Sequence, residues 1–136
     1  MSESTRNYLQ LLGRALLAAI FIVAGIRKAL NVAGTAAYMA KNGVPFAEQL
    51  AIAAIALEIV GGLMLLLGWR TRDIAIVLAI FVAVITPIFH AFWTFDAAAY
   101  ANQMNHFLKN LCVIGGMLYV AVSGPGKYSI DGGGKK

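Results

Sequence analysis

The chain has 136 residues, 60% of them hydrophobic and only 12% charged, with a mean hydropathy of +0.77. A soluble domain carries about 25% charged residues, so a water-exposed globular surface is excluded over most of the length. The net charge of +5 does not point to nucleic acid, because the basic residues flank apolar runs and form no continuous stripe; it fits anionic headgroups and membrane topology instead.

Four apolar stretches at residues 8–30, 46–69, 74–93 and 107–122 read as membrane-crossing helices, for which a hydrocarbon core needs ~20 residues. The first is interrupted by Arg14 and ends in Ile26-Arg27-Lys28-Ala29-Leu30. It lacks a small-x-small cleavage pattern and is read as a retained helix, not a secretory signal. The loop over 31–45 carries Gly34, Gly43 and Pro45, and a short interfacial helix is expected over 35–41. The second span contains Ala53, Ala54, Gly61 and Gly62, small residues of the kind that let helices pack closely in lipid. The turn Trp69-Arg70-Thr71-Arg72-Asp73 is short enough to make spans two and three antiparallel neighbours. In the third span, Pro87 removes the backbone bond to the Ala83 carbonyl and is expected to bend the helix. Trp69 and Trp93 fall near span ends, as aromatic-belt residues do.

The loop over 94–105, with Phe95, Tyr100 and several alanines, predicts a second short interfacial helix. The fourth span holds Cys112, the only cysteine. It has no disulfide partner in the chain and reads as a small core residue. Residues 124–136, rich in glycine, read as a flexible cytoplasmic tail behind one domain of residues 1–123. The expected fold class is thus all-α: an integral membrane four-helix bundle with short interfacial helices in the outer loops. Four spans put both termini on one side. That side carries seven cations (Arg6, Arg14, Arg70, Arg72, Lys127, Lys135 and Lys136), against four (Arg27, Lys28, Lys41 and Lys109) on the other. The positive-inside rule then places both termini in the cytoplasm.

Ionisable groups inside spans cost about 2.5–3.5 kcal/mol each near the midplane and by default mark function. Glu58 lies near the centre of the second span and needs a cationic partner or a proton. Arg14, Lys28 and Lys109 are the cations that could reach it. His90, His106, Lys109 and Asn110 gather with Lys28 toward the outer half, where a four-helix bundle could bring them to one pocket. Plainer readings stand beside these. Lys28 can snorkel as an interfacial anchor, and Glu58 can hold the bundle together through an ion pair. His90 and His106 are of the right type for axial haem ligands, yet histidines at span ends more often meet water. A metal site from His90, His106 and Asp96 is weaker still. No nucleophile–base pair, phosphate loop or dinucleotide fingerprint is present.

Several short motifs occur in order: Gly13-Arg14 and Phe21-Ile22-Val23-Ala24-Gly25-Ile26-Arg27-Lys28, then Gly43-Val44-Pro45, then Glu58-Ile59-Val60-Gly61-Gly62 and Leu67-Gly68-Trp69-Arg70-Thr71-Arg72. Phe107-Leu108-Lys109-Asn110-Leu111 and Ser123-Gly124-Pro125-Gly126-Lys127-Tyr128-Ser129-Ile130-Asp131 follow. In this order and spacing the chain resembles the DoxX family of small four-helix bacterial membrane proteins over nearly its whole length. The resemblance implies a bacterial inner-membrane location and a link to redox chemistry. The family includes a subunit of an archaeal thiosulfate:quinone oxidoreductase and a membrane partner of superoxide dismutase and a sulfurtransferase. Carried over by motif, the positions of interest are Arg14, Lys28, Glu58, Lys109 and Asn110. The lone cysteine argues against a dithiol relay within the chain.

The leading functional expectation is an accessory subunit of a quinone- or sulfur-linked membrane redox system, working with redox-enzyme partner proteins. Its pocket would suit a quinone, whose carbonyl oxygens can accept from Lys109, Asn110 or a histidine. The alternatives are a small oligomeric transporter or permeability factor in which Glu58 titrates, and a purely structural membrane protein. Whether the chain is an enzyme is left open.

Overall fold

The computed structural model describes residues 1–132. Helix α1 spans Glu3–Ala29, α2 Val32–Lys41, α3 Ala47–Leu67, α4 Thr71–Phe89 and α5 Ala97–Ser123, with a 3₁₀ turn at Phe92–Thr94 before α5. Among the described residues, four helices (all but α2) are long and apolar enough to cross a membrane. The first turns of α1 and the segment after α5 meet at one end of the bundle, here the terminal end, where the Tyr8 and Tyr128 rings lie 5.1 Å apart.

The starts of α1, α2 and α5 follow local side-chain capping, which periodicity alone does not reveal. Ser2 accepts from the Thr5 amide, and α1 begins at Glu3, several residues before the apolar run. Asn31 accepts from the Gly34 amide, so α2 begins at Val32 and not at 35. Asp96 accepts from the Ala99 amide and opens α5 at Ala97. In each case a short oxygen-bearing side chain satisfies an orphan N–H of the first turn. The last of these corrects an expectation. The second interfacial helix does not exist as a separate element, because 97–105 is the first part of one continuous α5. Its polar residues give this span the lowest mean hydropathy of the four, 1.3 against 2.1–2.6, which is why the apolar signal began only near 107.

Helices α1 and α3 cross closely, and glycine makes the crossing possible. A Cβ on Gly25 would stand 2.7 Å from Ile59 Cγ1 and 3.2 Å from the Ile59 backbone nitrogen. One on Gly62 would stand 2.7 Å from Ile22 Cγ1 and 3.2 Å from the Ile22 nitrogen. In lipid, where apolar burial supplies no drive between helices, such backbone approach is the main source of attraction. Helices α3 and α4, joined by a short turn, run antiparallel. The core is shared by α1, α3, α4 and α5, with Ala18, Phe21, Leu65, Leu78, Val82 and Met117 buried in it. Pro87 lies two residues before the end of α4, and the helix continues through it to Phe89. Cys112 faces outward on α5 and is not a core residue, because α5 turns Asn110 and Met117 inward instead.

The C-terminal stretch is not free of the bundle as expected. Ile130 and Asp131 donate their amides to the Leu67 and Gly68 carbonyls at 3.1 and 2.9 Å, so the chain after α5 lies against the α3–α4 turn. Residues 133–136, including Lys135 and Lys136, lie outside the described residues.

Candidate functional site

Glu58 sits where α1 and α3 cross. The missing side chain at Gly25 leaves room for it, since a Cβ there would touch the Glu58 Cβ at 3.1 Å. Lys28, three residues on along α1, reaches over and places Nζ 2.5 Å from Glu58 Oε1. The carboxylate side chain is 4% exposed and the lysine 34%, so the cation keeps one side toward the open end while the anion is enclosed. An opposite charge at contact offsets much of the cost of an acid in a span. Glu58 Oε2 is buried and has no hydrogen-bond partner among the described residues. Of the three cations that could reach Glu58, the structure selects Lys28.

Arg14 is 1% exposed and belongs to the opposite end. Its guanidinium donates to three carbonyls: Pro125, Leu66 at 3.3 Å and Tyr128 at 2.7 Å. It thus ties α1 to the end of α3 and to the C-terminal segment. Two further residues complete this knot, neither of them among the site candidates read from the sequence. Asp131 accepts from the Arg70 amide at 3.0 Å and the Thr71 amide at 2.8 Å, so the first turn of α4 is capped by a residue sixty positions away. The Thr71 amide, followed by that of Arg70, holds the Asp131 carboxyl below the usual carboxylate range. Arg72 donates to the Ala121 and Val122 carbonyls at 2.6 Å each, where the negative end of the α5 dipole favours a cation. One sequence signal was available for the knot: a buried arginine needs acceptors, and a polar segment containing Asp131 follows the last span.

The outer polar residues do not converge on one pocket. His90 caps the C-terminus of α4, with Nδ1 2.8 Å from Gln103 Oε1. Its ring stacks on that of His106, with centroids 5.0 Å apart and planes 21° apart. His106 Nδ1 lies 3.2 Å from Lys109 Nζ. Since the ammonium only donates, this nitrogen accepts. Stacked rings leave no gap for a macrocycle between them, so this arrangement does not fit axial ligation of one haem. Asn110 points inward from α5 and donates to Thr86 Oγ1 at 3.0 Å, and that hydroxyl donates to the Val82 carbonyl at 2.6 Å. This is a polar link between α4 and α5, remote in its bonding from Glu58. Lys109 is exposed on α5.

What Lys28 and His90 do share is a cavity of about 450 Å³ between α2, α3 and α4. Its walls are Leu50, Leu57, Phe81, Ile85, Ile88 and Phe89. Lys28 and His90 are its ionisable nitrogen groups, and Tyr38 adds a phenol. Tyr38, on α2, stacks on Phe89 at 5.5 Å, so the short outer helix covers the distal side. Apolar walls with a few polar groups are the usual make-up of a small-molecule site.

A bundle of four helices long and apolar enough to cross a membrane, with an enclosed ion pair and an apolar cavity beside it, defines a small integral membrane protein. A family comparison matches residues 9–91 to the DoxX model, and the chain belongs to the DoxX family. It is 32% identical over 128 residues to the inner membrane protein YphA of Escherichia coli (strain K12), covering 94% of this chain and 91% of that one. It is 41% identical over 122 residues to the inner membrane protein YqjF of the same organism, covering 89% and 88%. A Surfeit locus protein 4 homolog of Schizosaccharomyces pombe is 30% identical over 131 residues, which are 95% of this chain and 38% of that longer protein. No solved structure matches the chain.

Proposed function

We propose that this DoxX-family protein is an accessory subunit of a membrane redox system, holding a quinone in the cavity between α2, α3 and α4. The observation that carries the reading is the cavity itself: about 450 Å³, walled by aliphatic and aromatic side chains, with Lys28 and His90 in its lining. A flat apolar ring with carbonyl acceptors matches it, because the Lys28 ammonium has N–H donors beyond the one it gives to Glu58, while the one N–H of a neutral His90 is held by Gln103 Oε1. The redox setting is drawn from the resemblance of the sequence motifs to the family, not from the cavity. In this reading the protein lies in the bacterial inner membrane with both termini cytoplasmic, as the cation bias favours.

The test is extraction of the protein from its own membrane in mild detergent, followed by organic extraction and mass spectrometry of the bound small molecules. An isoprenoid quinone should co-purify, and Ala53→Leu, which fills the cavity, should lose it. Repeated clean preparations without quinone and without a partner protein would sink the reading.

A second reading is favoured by one observation, the buried Glu58 Oε2 that lacks a partner. A carboxylate with a free oxygen beside a lysine can take up and release a proton, as proton-coupled carriers require. Glu58→Gln in proteoliposomes separates the two: a carrier loses transport, whereas a quinone-holding subunit keeps its ligand.

A further inference from the structure

A second cavity lies at the terminal end, between α1 and α5, and it differs in kind from the first. Its volume is about 1070 Å³. One wall is a single face of α1, with Leu9, Gly13 and Leu17; the other is a single face of α5, with Gly116, Tyr119 and Val120. These positions recur at three- and four-residue spacing, so each helix turns one stripe toward the gap. The helices touch toward the bilayer centre, where a Cβ on Gly116 would meet Leu17 Cδ2 at 3.0 Å. Nearer the terminal end they part, and a Cβ on Gly13 would meet nothing within 4 Å. The groove is therefore closed and apolar at its inner end and open at the headgroup end.

The open end is basic. Arg6, Arg14 and Lys127 line it, against one carboxylate, Glu3, among the described residues. Two buried polar groups there also lack partners among the described residues. Asn7 is 6% exposed and lines the groove, with no side-chain hydrogen bond. Arg14 Nε is buried and unsatisfied. An unpartnered, nine-tenths buried amide such as that of Asn7 can bond to a ligand held in the groove.

We infer that the α1–α5 groove binds one anionic phospholipid, with an acyl chain between the Gly13 and Gly116 stripes and the phosphate at Arg6 and Lys127. The membrane setting supplies the ligand, and juxtamembrane cations supply the preference for an anionic headgroup. The site is independent of the cavity beside Lys28 and of any ligand held there.

The test uses the full-length protein in mild detergent, titrated with phosphatidylglycerol and, separately, with phosphatidylethanolamine, and read by native mass spectrometry. The wild type should retain one phosphatidylglycerol in preference to phosphatidylethanolamine. Arg6→Gln with Lys127→Gln should cut that preference roughly tenfold. Gly13→Leu, which points into open space and should leave the thermal melt unchanged, should abolish retention of either lipid. Equal retention of both lipids by the wild type overturns the inference, as does full retention by a folded Gly13→Leu variant. Displacement of the lipid by inorganic phosphate alone would leave an anion site without a chain site, and overturns it too.

Discussion

Asp131, near the end of the chain, caps the helix that begins at Thr71: its Oδ2 accepts from the Thr71 amide at 2.8 Å and lies 3.1 Å from the Thr71 hydroxyl. Arg70, the residue before the helix, has a left-handed backbone with φ of 46° and makes no side-chain cap of its own. The distant carboxylate does that work, at the positive end of the α4 dipole.

The cap sets a pH dependence. The Thr71 amide holds the Asp131 carboxyl below its ordinary value, so the folded form prefers the carboxylate. The stability this adds is complete above the unfolded value of about 3.9 and is lost as pH falls through the lower, folded value. Asp131→Ala should destabilise by about 1 kcal/mol near neutral pH, the usual effect of losing a cap. Thermal melts in detergent should show the gap between wild type and variant closing only in strong acid.

The Lys28–Glu58 pair should behave as an enclosed anion with one partner. Lys28→Met leaves the carboxylate buried alone and should destabilise by roughly 2 kcal/mol or more. Glu58→Gln should cost less, since Lys28 can turn toward the open end. The double variant should recover most of the loss of Lys28→Met. A melt series over the four proteins checks this, and additive single effects would show that the two groups do not interact.

Glycines that look alike in the sequence should respond differently. Gly62→Val drives a side chain into Ile22 of α1 and should cost about 1–3 kcal/mol by overpacking. Gly115→Ala, with nothing within 4 Å of the added carbon, should be close to neutral. Detergent melts of the two variants give the comparison.

Arg14 holds the C-terminal segment through the Pro125 and Tyr128 carbonyls. Arg14→Met should release it and raise the rate of tryptic cleavage after Lys127 roughly tenfold, given about 1.5–3 kcal/mol for hydrogen bonds to a charged group. Timed proteolysis with mass readout would show the released peptide, and an unchanged rate would mean that Asp131 alone pins the segment.

The sequence by itself determined the membrane, the four crossings and the residues under electrostatic strain. Apolar run length is a local property, and an ionisable group within such a run is costly wherever its partner lies. Glu58, Arg14 and Lys28 were legible for that reason, and Asn110 as a polar residue within the last span. Only the tertiary structure decided the pairing. Glu58 takes Lys28 because Gly25 lets α1 approach α3 at that level, while Arg14 is turned to the other end by backbone carbonyls of the C-terminal segment. That segment looked free because its glycine-rich composition has no periodicity, yet its order comes from hydrogen bonds to residues sixty positions away. Likewise, Cys112 and Asn110 stand two apart on one helix, and which of them faces the core follows from where α4 packs on α5. Periodicity names a helix, but the neighbour against which its face is buried is set by contacts far apart in the chain.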